Sequence, residues 1–165
     1  DQIKSTLGAI KSFNTEKIII YPNSDTGSNH VINEINKIKN RKDIHIYKNL
    51  NRDIYLNLLK NSDVMIGNSS SGIIESGYFK LPVINIGNRQ KNRECGQNVI
   101  HIGYNEEFIK KSIIHALSPK FRLTLSRMDH PYGNGTAGKQ IVTKLEKYVK
   151  NKELFYKELT YAKTQ

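Results

Sequence analysis

The residue types best suited to chemistry are concentrated in one short segment, Gly67-Asn68-Ser69-Ser70-Ser71-Gly72, with Glu75 close behind it. A glycine ends an apolar run, three hydroxyls follow, and a second glycine begins a predicted helix. Backbone amides at a helix N-terminus lack intrahelical partners and carry partial positive charge, so they attract anions. Serine hydroxyls add donors without bulk, and glycine lets a phosphate approach the main chain. This serine loop therefore predicts a phosphate site.

Glu75 lies about one turn into the predicted helix, where its carboxylate can accept two hydrogen bonds from a ribose diol. Helix capping is the alternative explanation of the segment, because Ser and Asn are preferred caps and an acid in the first turn complements the helix dipole. One serine would satisfy capping, whereas three in a row exceed that need. Phosphate binding is the favoured interpretation.

Two further loops carry polar residues. Residues 88–94 contain Arg89, whose guanidinium can form a two-pronged contact with a phosphate, although an exposed loop charge explains it equally well. Residues 22–28 contain Asn23 among turn-forming residues, and turn chemistry explains that loop nearly as well as binding does.

Other kinds of site are not indicated. The five histidines have no metal-ligand spacing and there is one cysteine, Cys95, so neither a metal nor a cofactor is predicted. No Cys–His constellation is apparent in the sequence, and Cys95 is expected to be inert. The nucleophile elbow and the G-x-G-x-x-G fingerprint are both absent.

The elements that must position these loops alternate between short apolar runs and helix-length amphipathic segments. The predicted strands are 17–22, 43–48, 63–67, 81–87 and 98–102, and the predicted helices are 31–39, 53–60, 72–80, 106–117 and 139–150. Such alternation predicts an α/β fold, a Rossmann-like, doubly wound parallel sheet covered on both faces. Ligands bind such sheets beyond the carboxyl ends of the strands, which is where the three polar loops lie.

Length and composition bound the remaining possibilities. The 165 residues fit a single domain, with a core over about 15–150 and residues 151–165 as a C-terminal helix or tail. No apolar run is long enough for a membrane span, no secretory signal is present, and one cysteine suits the cytoplasm. The net charge of +11 is dispersed along the chain, so solvated faces and a phosphate-bearing ligand are favoured over nucleic acid or a membrane surface.

Four segments carry a shared pattern, namely residues 21–27, the serine loop, residues 82–90 and the segment His130-Pro131-Tyr132-Gly133-Asn134-Gly135. Together they resemble the C-terminal domain of UDP-N-acetylglucosamine 2-epimerases. The asparagine–serine–serine form of the loop is similar to the hydrolysing branch of that family, which makes N-acetylmannosamine for sialic-acid-type sugars. The resemblance implies the C-terminal half of a glycosyltransferase-B-like, two-domain fold, with substrate held between two Rossmann-like halves.

The resemblance also implies a UDP site and assigns its parts. Hydroxyls of the serine loop would hold the diphosphate with help from two main-chain amides, Glu75 would bind the ribose hydroxyls, and Arg89 would contact phosphate. A polar side chain would face the cleft from the first loop, and main-chain groups after the second strand would contact the uracil edge. The residues concerned are Ser69, Ser70, Ser71, Gly72, Glu75, Arg89, Asn23, Lys48 and Asn49.

For activity, the resemblance implies elimination of UDP across C1 and C2 of the sugar, then addition of water with inversion at C2. The acid–base residues would come largely from an N-terminal half, so this chain is expected to have no turnover of its own. Because Asp1 is not a methionine, the chain is expected to be an excised piece. An exposed cleft-facing surface could then drive self-association. Two alternatives stay open, namely the nucleotide-binding half of a glycosyltransferase and a stand-alone nucleotide-binding module.

Overall fold

A computed structural model describes residues 2–23 and 27–149 of the chain. The strands are β1 (Lys17–Ile20), β2 (Ile44–Tyr47), β3 (Met65–Gly67), β4 (Val83–Ile86) and β5 (Val99–Ile102). The helices are α1 (Gln2–Lys11), α2 (Ser28–Asn36), α3 (Arg52–Asn61), α4 (Ser71–Ile74), α5 (Glu106–Leu117), α6 (Pro119–Ser126) and α7 (Ala137–Tyr148), with a 3-10 helix over Ser76–Phe79. The predicted α/β fold with parallel strands is confirmed.

The parallel strands form two ladders. β1 pairs with β2, and β4 lies between β3 and β5, with Ile84 opposite Ile66 on one side and Ile100 on the other. Within the described residues no hydrogen-bonded ladder joins these two groups of strands. Side chains must therefore hold them together.

Helix α1, which the sequence analysis did not predict, contributes to the packing of both ladders. Its fully buried Ala9 belongs to the core cluster around β4 and α5, while Leu7 belongs to the cluster around β2 and α2. Ile10 packs against both clusters. The helical spacing of Ile3, Leu7 and Ile10 was the available sequence signal.

Several large apolar side chains are exposed to solvent. The β1–β2 ladder is open on one face, since Ile18 and Tyr47 are 45% and 44% exposed, so the expectation that both sheet faces are covered is wrong there. Ile54 of α3 is also exposed, as are Phe108 and Ile114 of α5. Helix α5 buries a narrow stripe formed by Ile109, Ile113 and Ala116.

The predicted helix over 72–80 is broken into two short pieces. Ser76 is fully buried, its hydroxyl donates to the Gly72 carbonyl at 2.6 Å, and it accepts from the Asn98 amide at 2.9 Å. At Gly77 the His130 ring occupies the space that a side chain would need. The segment ends at Lys80, whose φ of 54° is left-handed. Long-range packing therefore tightens the chain into a 3-10 turn after only four α-helical residues.

Helix α6 was also missed, although Ser118 and Pro119 are a recognisable start. The Ser118 hydroxyl accepts a hydrogen bond from the Phe121 amide, and proline occupies the first helical position. None of the described helices has the length and apolar character that a membrane crossing requires.

The chain divides into two compact units, Asp1–Pro131 and Tyr132–Gln165. In the second unit, α7 exposes Ile141, Val142 and Leu145. The single-domain boundary stays a prediction, and the predicted helix or tail over 151–165 lies outside the described residues.

A buried lysine joins the start of β1 to β2. The Lys17 ammonium donates to the Phe13 and Thr15 carbonyls at 2.6 and 2.8 Å and to Asp43 at 2.6 Å, and Arg41 donates to the same carboxylate. Hydrogen bonds from Arg41 and then Lys17 hold the pKa of Asp43 well below its usual value. Asp43 therefore stabilises the fold above about pH 4, and this contribution is lost as the pH falls towards the depressed pKa.

We expect Asp43→Asn to destabilise the chain at pH 7 and to have a smaller effect at pH 2, because the carboxylate of the unfolded wild-type chain binds a proton at that pH and much of the stabilisation from the folded ion pair is then lost. Urea midpoints at the two pH values measure this. Asp63→Asn is the control, because Asp63 is 78% exposed and pairs with an Arg122 that is itself half-exposed. An Asp43→Asn deficit of equal size at both pH values would contradict the prediction.

Candidate functional site

A chain of hydrogen bonds joins α3 to the serine loop. The Tyr55 hydroxyl lies 2.6 Å from Ser71 Oγ, and Ser71 Oγ lies 2.5 Å from Glu75 Oε2. The other oxygen of Glu75, Oε1, is 2.8 Å from Arg52 Nη1. Tyr55 is about half-buried, and burial raises the pKa of its phenol. Tyr55 therefore keeps its proton over the whole neutral range and acts as a donor.

Capping needs within the serine loop are met by Ser69. Its hydroxyl accepts from the Ser71 amide at 3.3 Å, and its carbonyl accepts from the Gly72 amide at 3.1 Å. Ser70 occupies the N-cap position of α4 and makes no side-chain capping bond. One serine thus serves as a cap, while the Ser70 hydroxyl remains available to a ligand.

Two details of the predicted phosphate site are corrected. The amides of Ser71 and Gly72 donate within the loop rather than towards an open surface. Helix α4 has only four residues, so it lacks the aligned peptide dipoles on which the anion argument relied. The hydroxyls and nearby cations are the stronger candidates for phosphate contacts.

The loop after β4 is bound to the serine loop through one carbonyl. Asn68 O accepts from Arg89 Nη1 at 3.1 Å and from Gln90 Nε2 at 2.8 Å. Gln90 is only 2% exposed, and within the described residues its Oε1 has no hydrogen-bond partner. Gln90 therefore anchors the loop, and the Arg89 guanidinium contacts the main chain of Asn68, the residue that precedes the three serines. Arg89 is among the residues predicted from the sequence, whereas Gln90 and Asn68 have no individual role in that prediction.

The remaining predicted residues lie on neighbouring loops. Lys48 and Asn49 follow β2 and precede Asn51, whose side chain caps α3 by accepting from the Ile54 amide at 2.9 Å. Because α3 carries Arg52, which contacts Glu75, and Tyr55, which contacts Ser71, the segment predicted to contact uracil leads directly into this hydrogen-bonded group. Asn23 is exposed after β1 and the described contacts do not bring it to the serine loop.

Outside this region the structure forms one arrangement that the sequence analysis excluded. Cys95 Sγ lies 3.5 Å from His101 Nε2, and His101 Nδ1 lies 3.0 Å from Asn85 Nδ2. Strand pairing puts His101 opposite Asn85, which spacing in the sequence could not reveal. The expectation of no Cys–His constellation is therefore wrong. A shallow hollow of about 300 Å³ beside Cys95 is lined by none of the predicted site residues. The described residues contain no cluster of three or more metal-ligating side chains.

Comparison with solved structures supports the fold class. UDP-N-acetylglucosamine 2-epimerase from Methanocaldococcus jannaschii, solved in complex with UDP-N-acetylglucosamine and UDP, matches with a TM-score of 0.68 at 23% identity, over 88% of this chain and 39% of that one. The chain thus has the Rossmann-like α/β fold of one half of a glycosyltransferase-B-like architecture.

Comparison of sequences identifies the family as well as the fold. The family model for UDP-N-acetylglucosamine 2-epimerase matches residues 1–146. The UDP-N,N'-diacetylbacillosamine 2-epimerase (hydrolyzing) of Legionella pneumophila is 38% identical over 135 residues, which are 81% of this chain and 34% of the relative. Polysialic acid biosynthesis protein P7 of Escherichia coli is 33% identical over 160 residues, 96% of this chain and 41% of the relative. The chain belongs to the UDP-N-acetylglucosamine 2-epimerase family, and the matches span 34% and 41% of the length of these two relatives.

Proposed function

We propose that this chain is the UDP-binding C-terminal half of a hydrolysing UDP-N-acetylglucosamine 2-epimerase. The observation that carries the proposal is the convergence of helix α3 and the loop after β4 on the serine loop. Arg89 and Gln90 approach it from the end of β4 through Asn68 O, and Arg52 and Tyr55 approach it from α3 through Glu75 and Ser71. Cationic, hydroxyl and carboxylate groups thus meet at the carboxyl ends of β3 and β4, where open α/β sheets bind nucleotides.

Each group has a part of UDP to bind. The Ser69 and Ser70 hydroxyls and the Arg89 guanidinium suit the diphosphate, and the Glu75 carboxylate suits the ribose diol. Main-chain groups at Lys48 and Asn49, next to the start of α3, suit the uracil edge. Asn23 is proposed to face the sugar side of the cleft.

The proposed reaction breaks the bond between C1 of the sugar and the UDP oxygen as a proton leaves C2, and water then adds to the resulting glycal. Negative charge develops on the leaving diphosphate, so donors directed at it stabilise the transition state. These residues of the C-terminal half would supply that stabilisation. The acid–base groups are proposed to lie in an N-terminal partner domain, so this chain alone would bind UDP without turning over substrate.

The hydrolysing assignment draws on the asparagine–serine–serine loop and on the name of the Legionella relative. Product analysis of the full-length enzyme tests it. Free N-acetylmannosamine, or a further acetylated relative, together with UDP is the expected product set. A 2-epimer still attached to UDP would overturn the hydrolysing assignment, and transfer of the sugar to an acceptor would overturn the family activity.

Calorimetric titration of this chain tests the UDP site itself. Heat is expected with UDP at millimolar concentration and not with uridine, because the proposed site needs the diphosphate. Sodium pyrophosphate is the second control and is expected to compete with UDP. A titration without heat for UDP would refute the proposed function.

A further inference from the structure

We propose that Tyr55 is a positioning residue that acts through Ser71 on Glu75 and thereby selects a nucleotide with an intact ribose diol. Nothing in the family resemblance assigns a role to Tyr55. The inference rests on the proposed function, since it concerns how the UDP site distinguishes a ribose from a sugar without vicinal hydroxyls.

The direction of the hydrogen bonds follows from donor and acceptor chemistry. An ionised carboxylate only accepts, so the short contact between Ser71 Oγ and Glu75 Oε2 requires the serine proton to point at Glu75. Ser71 Oγ can then only accept from Tyr55, which has a proton to give at 2.6 Å. Because hydrogen bonds in a chain polarise one another, the phenol strengthens the bond between Ser71 and Glu75.

This arrangement leaves Glu75 prepared for a diol. Its two oxygens offer about four acceptor positions, of which Ser71 and Arg52 take one on each oxygen. One position per oxygen remains, and the carboxylate is 23% exposed, so it can still be reached from solvent. Two adjacent acceptors match two adjacent hydroxyls.

Tyr55 matters more than Arg52 in holding that orientation. The Arg52 side chain is 70% exposed, and exposed ion pairs contribute little because water screens them. Tyr55 is half-buried and its partner Ser71 is fixed in the first turn of α4, so this restraint is stiffer. A glutamate that is already oriented loses less side-chain freedom when the ligand binds.

The test compares UDP with 2′,3′-dideoxyuridine diphosphate by calorimetric titration of the wild-type chain and of Tyr55→Phe. We expect Tyr55→Phe to weaken UDP binding about three- to tenfold, the worth of one polar hydrogen bond, and to leave the dideoxy affinity unchanged. Tyr78→Phe is the matched control, because Tyr78 is 65% exposed, and it is expected to change neither affinity.

A double variant separates positioning from general damage. If Tyr55 acts only through Ser71, Tyr55→Phe combined with Ser71→Ala weakens UDP binding no more than Ser71→Ala alone. Equal losses for both ligands in Tyr55→Phe, or no loss for either, would overturn the inference. Equal binding of both ligands by the wild-type chain would show that the diol is not recognised, and this would overturn the inference alone. Binding of neither ligand would refute the proposed function and the inference with it.

Discussion

Replacement of Ile84 by alanine is expected to lower the free energy of unfolding by about 3–4 kcal/mol, the largest stability loss that we predict for a single substitution. Ile84 is fully buried on β4, with a strand on either side, and it packs in the cluster that contains Ala9 and Ile109. Strands that flank it in fixed ladders cannot move inward to fill the space left by the deleted methyl groups. The cavity therefore persists, and its cost adds to the lost burial of apolar surface.

Urea denaturation followed by circular dichroism measures this change. Ile114→Ala is the matched control, because Ile114 is 62% exposed on α5, and it is expected to cost less than about 1 kcal/mol. A small domain has only about 5–15 kcal/mol of stability, so the Ile84 variant loses a large part of it. An equal effect for the two isoleucines would show that β4 is not the centre of the core.

Replacement of Glu75 by glutamine is expected to weaken UDP binding about ten- to one-hundredfold. A hydrogen bond to an ionised acceptor contributes about 1.5–3 kcal/mol, and the amide has only one acceptor oxygen where the carboxylate has two. The substitution also removes the charge that holds Arg52 at 2.8 Å and places an NH₂ group where a diol hydroxyl must donate. Both changes act on the ribose contact rather than on the fold.

Calorimetric titration with UDP measures the loss, and thermal melting confirms that the variant is folded. Glu16→Gln is the control: Glu16 is 74% exposed and pairs with His45 on the β1–β2 side of the chain, so no change in UDP affinity is expected. Unchanged UDP affinity in Glu75→Gln would show that Glu75 does not bind the nucleotide. The proposed role of Tyr55, which acts through Glu75, would then be refuted as well.

Local patterns predicted the elements whose ends are marked in the sequence. Helix α5 has the predicted bounds because Asn105 caps its first turn and Ser118-Pro119 ends it. All five strands were found because β-branched runs followed by polar turns are typical of buried parallel strands. Helix α1 was missed because its three apolar positions are separated by lysine, serine and glycine, which dilute the apolar stripe.

Features that depend on distant residues could not be predicted. The break after α4 depends on His130 packing over Gly77, and the Cys95–His101 pair depends on the register of β5 against β4. For the candidate site, residue types and their spacing in the sequence predicted the serine loop, Glu75 and Arg89, and the roles of these residues stay predictions. The sequence could not indicate Tyr55, Arg52 or Gln90, because their contribution follows from how α3 and the loop after β4 pack against the serine loop and not from the residues next to them in the sequence.

The absence of a ladder between β1–β2 and β3–β4–β5 in the described residues has a consequence for the breathing motions of the chain. Opening one group of strands breaks no backbone hydrogen bond of the other and needs only the withdrawal of side chains such as Ile10. Amide protons of β2 should therefore exchange with deuterated water through a different, lower-energy opening than those of β4, whose amides are protected on both sides. Truncating Ile10 should widen that difference in protection.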